Sequence, residues 1–122
     1  MSQEIEVVIQ RDSVSMGDDI QAPHEYRVWM SSQITLETFF TALNLHLYLP
    51  KIVTGEAVWT LENKFGKSIA LMAQQWQSIH YFVDPHSQFS EQFIFDEHLQ
   101  GHLIFVGYHQ QIQPEQLIER LK

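Results

Sequence analysis

Apolar and polar residues alternate at the start of the chain. Ile5, Val7 and Ile9 are interleaved with Glu4, Glu6, Val8 and Gln10, a period of two that predicts a strand over residues 4–11. Residues 24–30 read as the next strand, with Tyr26, Val28 and Met30 on one face. Between them lies Asp12 to Pro23, with Gly17-Asp18-Asp19 near its middle, so the pair reads as a hairpin with a long acidic loop. The period then changes. Leu36, Phe40, Leu43 and Leu47 recur at helical spacing and predict a helix over 34–44. Thr35 suits its N-cap, Glu37 falls in the first turn where the dipole favours an anion, and Ile34 and Phe39 have the spacing of a hydrophobic staple. Pro50 stops the pattern.

The period of two returns at 56–62 and 68–74, a second hairpin turning at Asn63 to Lys67 around Gly66. A short strand follows at 79–83, ended by Asp84-Pro85. Residues 90–99 fit helix and strand equally well. His102 to Tyr108 reads as an apolar strand, and Pro114 opens a short C-terminal helix with Leu117, Ile118 and Leu121 inward. This order predicts a single α+β domain: a mixed β-sheet with one main helix packed across it, β-grasp-like, plus the short C-terminal helix. A different α+β sandwich is the alternative.

Composition narrows the function. With 122 residues and 44% hydrophobic content, folding buries roughly two thirds of the unfolded surface, enough for a core without staples. There is no cysteine, which removes disulfides and Cys-based zinc sites. The opening MSQEIEVVIQ has acidic residues where a signal peptide needs basic ones, no run suits a membrane helix, and the expected location is cytoplasmic. Fifteen Asp/Glu against seven Lys/Arg give a formal charge of -8. Direct nucleic-acid binding is disfavoured, because phosphate affinity comes from Lys and Arg. A basic protein partner is favoured, since complementary fields speed encounter.

Candidate chemistry is sparse. The seven histidines invite a metal, but neither His98 with His102 nor Asp84 with His86 supplies three converging ligands. No EF-hand, G-x-S-x-G elbow, Walker-A loop or G-x-G-x-x-G run occurs. No metal, cofactor or catalytic residue is expected. The acidic positions Asp18, Asp19, Glu91, Asp96 and Glu97 are the candidate partner contacts, with a solvated surface as the plain reading. Trp29, Trp59 and Trp76 read as core or half-buried sheet residues, and any of them exposed beside acidic groups becomes a hot-spot candidate.

Several segments carry a resemblance. They are Ser15-Met16-Gly17-Asp18-Asp19 with Ala22-Pro23-His24, Tyr48-Leu49-Pro50-Lys51-Ile52, Gly55-Glu56-Ala57-Val58-Trp59, and Ile69-Ala70-Leu71-Met72-Ala73-Gln74-Gln75-Trp76. Over residues 13 to 76 the chain resembles small acidic bacterial immunity proteins of toxin–immunity loci, of the contact-dependent inhibition and polymorphic-toxin kind. The resemblance implies a protein that binds and blocks a cognate toxin domain, often a nuclease. A small hydrolase using His with Asp or Glu, and a general protein-interaction module, are the alternatives. A ubiquitin-like modifier is disfavoured by the ending Arg120-Leu121-Lys122, which lacks Gly-Gly.

Overall fold

In the computed structural model of the chain, residues 3–11, 25–43, 58–73, 79–109 and 114–121 are described. Strands β1 (Glu4–Arg11) and β2 (Glu25–Ser31) precede helix α1 (Leu36–Ala42). Strands β3 (Val58–Glu62), β4 (Ser68–Ala73) and β5 (His80–Tyr81) follow. Then come helix α2 (Phe89–Gln92), strands β6 (Phe95–Asp96) and β7 (Gly101–Tyr108), and helix α3 (Pro114–Leu121). The strands form one seven-stranded sheet in the order β2-β1-β7-β3-β4-β5, with β6 also on β7. Among the described residues only the β1–β7 pair is parallel, so the sheet is mixed and the fold is α+β. The described helical part is shared among three helices, and α3, at eight residues, is longer than α1 at seven. The ambiguous stretch after residue 89 is divided between α2, β6 and a turn.

Alternation assigns each strand two faces. On the inner face Val7, Ile9, Trp59, Leu61, Met72, Ile104 and Val106 meet Leu36, Phe39 and Phe40 of α1 and the ring of Phe89 from α2. Phe39 stacks on Phe89 at 4.2 Å, Phe89 stacks on Phe93 at 4.9 Å, and Phe40 meets Phe39 edge-on at 5.0 Å. Leu43 packs against the margin of the same cluster, so Leu36, Phe40 and Leu43 of the predicted stripe face the core, and Leu47 lies outside the described residues.

The first amides of α1 are satisfied from two sources. The Thr38 N–H donates to the Thr35 hydroxyl at 3.2 Å, which is the expected N-cap. The Leu36 and Glu37 N–H groups donate to the carbonyls of Ser87 and Pro85 at 3.0 and 2.9 Å. The 84–89 segment thus closes a helix end that otherwise needs water. Phe89 N–H donates back to the Ile34 carbonyl at 2.8 Å, which fixes Phe89 beneath Phe39.

On the outer face α3 covers one end only. Leu117 packs with Val58, Leu71 and Ala73, with Ile118 and Phe82 at the margin. Leu121, expected inward, is exposed; the last turn carries it past the sheet surface that Leu117 covers. Asn63 makes the β3–β4 turn: its Oδ1 accepts the N–H groups of Phe65 and Lys67, and Gly66 adopts a positive φ of 79°.

Phe39 sits between helix and sheet with no exposed surface. Phe39→Ala is expected to lower unfolding free energy by about 3–5 kcal/mol, read as a shift of the urea midpoint at unchanged slope.

Candidate interaction surface

The half of the outer face that α3 does not reach is built from β1 and β2. Register places Glu4 beside Ser31, Glu6 beside Trp29, Val8 beside Arg27 and Gln10 beside Glu25, and alternation turns all of these side chains to the outer side. Leu103 and Phe105 of β7 continue the surface beside Val8 and Gln10. Trp29 is 61% exposed, whereas Trp59, on the inner face, is 2% exposed; Trp76 lies outside the described residues. A large exposed indole beside Glu6 and Glu4 has the makings of a hot spot.

Arg27 organises this surface. Its Nη1 donates to Glu6 at 2.9 Å and to the Leu99 carbonyl at 3.2 Å, and its Nε donates to Glu25 at 3.5 Å. The side chain therefore runs from β2 across β1 toward the start of β7. It passes above Val8, which is fully buried although it faces outward. Gly101 makes room there, because a Cβ at that position lies 2.6 Å from the Val8 methyl. Three carboxylates against one guanidinium leave the surface negative, and these ion pairs are exposed enough to contribute little to stability.

The expected acidic contacts are distributed otherwise. Asp18 and Asp19 lie outside the described residues, as do most of the segments that carry the resemblance. Glu91 is exposed on α2, and Glu97 is exposed in the turn before β7. Asp96 shapes the turn it belongs to. Its Oδ1 accepts the N–H groups of His98 and Leu99 at 2.9 and 3.1 Å, the side-chain-to-backbone pattern that holds such turns. Glu4, Glu6 and Glu25 were readable as charged strand positions, but their convergence around an exposed Trp depends on the β1–β2 register.

Two polar clusters bear on the enzymatic alternative. At the far side of the outer face, the Thr60 hydroxyl donates to Glu62 at 2.6 Å and lies 2.9 Å from Nε2 of His109. Thr60 has one proton and gives it to Glu62, so Nε2 of His109 carries the proton of the second bond. The histidine is a donor here rather than a base, and Thr60 is fully buried, so the trio satisfies polar groups inside the fold. Gly107 lets the trio form, since a Cβ there lies 2.6 Å from the Glu62 carboxylate. The second cluster is exposed: His86 lies 3.3 Å from Asp84 and 3.6 Å from Glu37. Among the described residues no group of three or more His, Asp or Glu is placed to hold a metal ion, and no helix is long and apolar enough to cross a membrane. His102 has its Nδ1 proton committed to the Phe93 carbonyl at 2.7 Å. Comparison with protein-family models, curated proteins and solved structures finds no match to this chain.

Thr60→Val removes the partner of both Glu62 and His109. It is expected to cost about 1–3 kcal/mol in denaturant unfolding, although the shape of the side chain is conserved. Tyr81 supplies a pH test. Burial, and then the nearby Glu37 carboxylate, hold its phenol above the usual value of 10.0. The folded state binds this proton more tightly than the unfolded chain. The resulting stability is complete below pH about 10 and is lost as pH rises through the folded value. In an ultraviolet phenolate titration, Glu37→Gln should move Tyr81 partway back toward free tyrosine, with burial keeping the remainder of the shift.

Proposed function

We propose that the chain is an immunity protein, acting in the cytoplasm without catalysis of its own. It binds a cognate bacterial toxin domain, a basic nuclease, and occludes its active site with the acidic outer face of β1 and β2. The observation that carries this reading is Trp29, 61% exposed, with Glu6 opposite it and Glu4 diagonal to it on the face that also bears Glu25. An aromatic anchor in a negative field suits a cationic surface that normally grips phosphate: the carboxylates steer the encounter, and the indole supplies the desolvated contact. The resemblance of residues 13 to 76 to immunity proteins supports the same reading. The arrangement is also read as β-grasp-like, on the strength of its opening hairpin, following helix and parallel β1–β7 pair.

The test is rescue of growth when the chain is co-expressed with the toxic domain encoded beside its gene, followed by binding measured with the purified pair. Trp29→Ala is expected to weaken binding by about thirtyfold or more, the equivalent of a ~2 kcal/mol hot spot. Glu4→Lys with Glu25→Lys is expected mainly to slow association and flatten its salt dependence. Wild-type affinity in both variants moves the interface to Asp18 and Asp19 or to Glu91 and Glu97. Turnover of a small molecule, with no protein partner found, overturns the reading.

A further inference from the structure

β2 forms an outer edge of the sheet, and among the described residues β1 is its only strand neighbour. One hydrogen bond fixes which way its backbone groups point. Ser32 N–H donates to the Gln3 carbonyl at 2.7 Å, in continuation of the Glu4↔Ser31 register. Gln3–Ser32 is therefore a hydrogen-bonded pair, and such pairs alternate along an antiparallel ladder. The N–H and C=O groups of Tyr26, Val28 and Met30 face β1, while those of Glu25, Arg27 and Trp29 face outward. The strand, EYRVWMS, runs through an unbroken register with β1. It has no proline, lysine or bulge to block further pairing, and its two charged residues, Glu25 and Arg27, are paired with each other on the outer face.

We propose that this edge pairs with itself, a second copy of the chain adding antiparallel through β2 about a twofold axis at Val28. In that register Val28 faces Val28, Tyr26 faces Met30, Glu25 faces Ser31 and Arg27 faces Trp29. The pairing ends at Ser31, whose carbonyl is taken by the Ile34 N–H, and no like charges lie opposite one another. The outward backbone groups of Arg27 and Trp29 meet as a hydrogen-bonded pair on each side of the axis. An axis between two residues would set an outward group against an inward one. An axis at Arg27 opposes two guanidinium groups, which is unfavourable. An axis at Trp29 runs the pairing into the turn after Ser31, whose carbonyl already accepts the Ile34 N–H at 3.1 Å. The Arg27 head is held by Glu6, Glu25 and the Leu99 carbonyl, so its methylene stem is an ordered platform for the indole of the second copy.

The twofold axis stands perpendicular to the sheet, so both acidic outer faces lie on one side. Two chains of charge -8 repel; salt screens that repulsion, and self-association tightens as salt rises. Binding of a basic partner has the opposite salt dependence, which separates the two behaviours.

Sedimentation equilibrium of the full chain alone, over a concentration series at low and high salt, tests this. The expected result is a monomer–dimer equilibrium shifted toward dimer by salt. Concentration-dependent protection of the Arg27 and Trp29 amides from hydrogen exchange should accompany it, a readout that needs no variant. Trp29→Lys places a cation opposite Arg27 and should weaken dimerisation about tenfold or more. Arg27→Glu combined with Trp29→Lys sets opposite charges across the axis and should restore it. A monomer at every concentration and salt overturns the proposal. So does a dimer in which the Arg27 and Trp29 amides stay unprotected, or a folded double variant no tighter than Trp29→Lys alone.

Discussion

The parallel pairing of β1 with β7 is the constraint on which the rest of this structure depends. It sets Val7 beside His102, Ile9 beside Ile104 and Arg11 beside Val106, joining the first strand to one near the end of the chain. Through it the β1–β2 hairpin and the β3–β4–β5 strands become one sheet, because β7 lies between β1 and β3. Parallel strands need a long connection, and here that connection contains nearly every other element. A pairing of such sequence separation is slow to form, since loop closure precedes any gain from contact. The gain is the inner row of Ile9, Ile104, Val106 and Leu61, all fully buried.

Once β1 and β7 are adjacent, the two faces take different roles. The inner face is closed by the Phe39–Phe89–Phe93 stack, and that stack is positioned by backbone hydrogen bonds between α1 and residues 84–89. Helix capping and core packing are thus one event: the carbonyls that satisfy the first amides of α1 belong to the segment that delivers Phe89. The outer face is covered by Leu117 of α3 at the β3–β4 end and open at the β1–β2 end. The open half is acidic and carries Trp29. A rigid sheet supports these groups, so they are ordered without any contact from outside, an advantage that a loop lacks.

The glycines of β7 belong to the same division. Gly101 admits the Val8 methyl beneath Arg27, and Gly107 admits the Thr60–Glu62–His109 trio. Each lets a side chain from a neighbouring strand lie over the β7 backbone. The first supports the open acidic surface; the second satisfies polar groups in a face that β3 and β4 largely bury.

Local periodicity was legible from the chain alone because it is a property of neighbouring residues. The strand at Glu4–Arg11, the helix capped by Thr35, the Asn63–Gly66 turn and the helix opening at Pro114 are each signalled by residues within a few positions, although distant partners complete the first two. Composition likewise determined the negative charge and the absence of disulfides. What tertiary structure decided are the questions that depend on register and face. Trp29 and Trp59 look alike in sequence, yet one is exposed and the other buried, because α1 and α2 cover only the face to which Trp59 points. Asp96 reads from sequence as a partner contact or a solvated group, and only the folded turn places two amides on it. Glu4, Glu6 and Glu25 join Arg27 and Trp29 in one surface through pairing between separate strands, and no period within either strand encodes its partner.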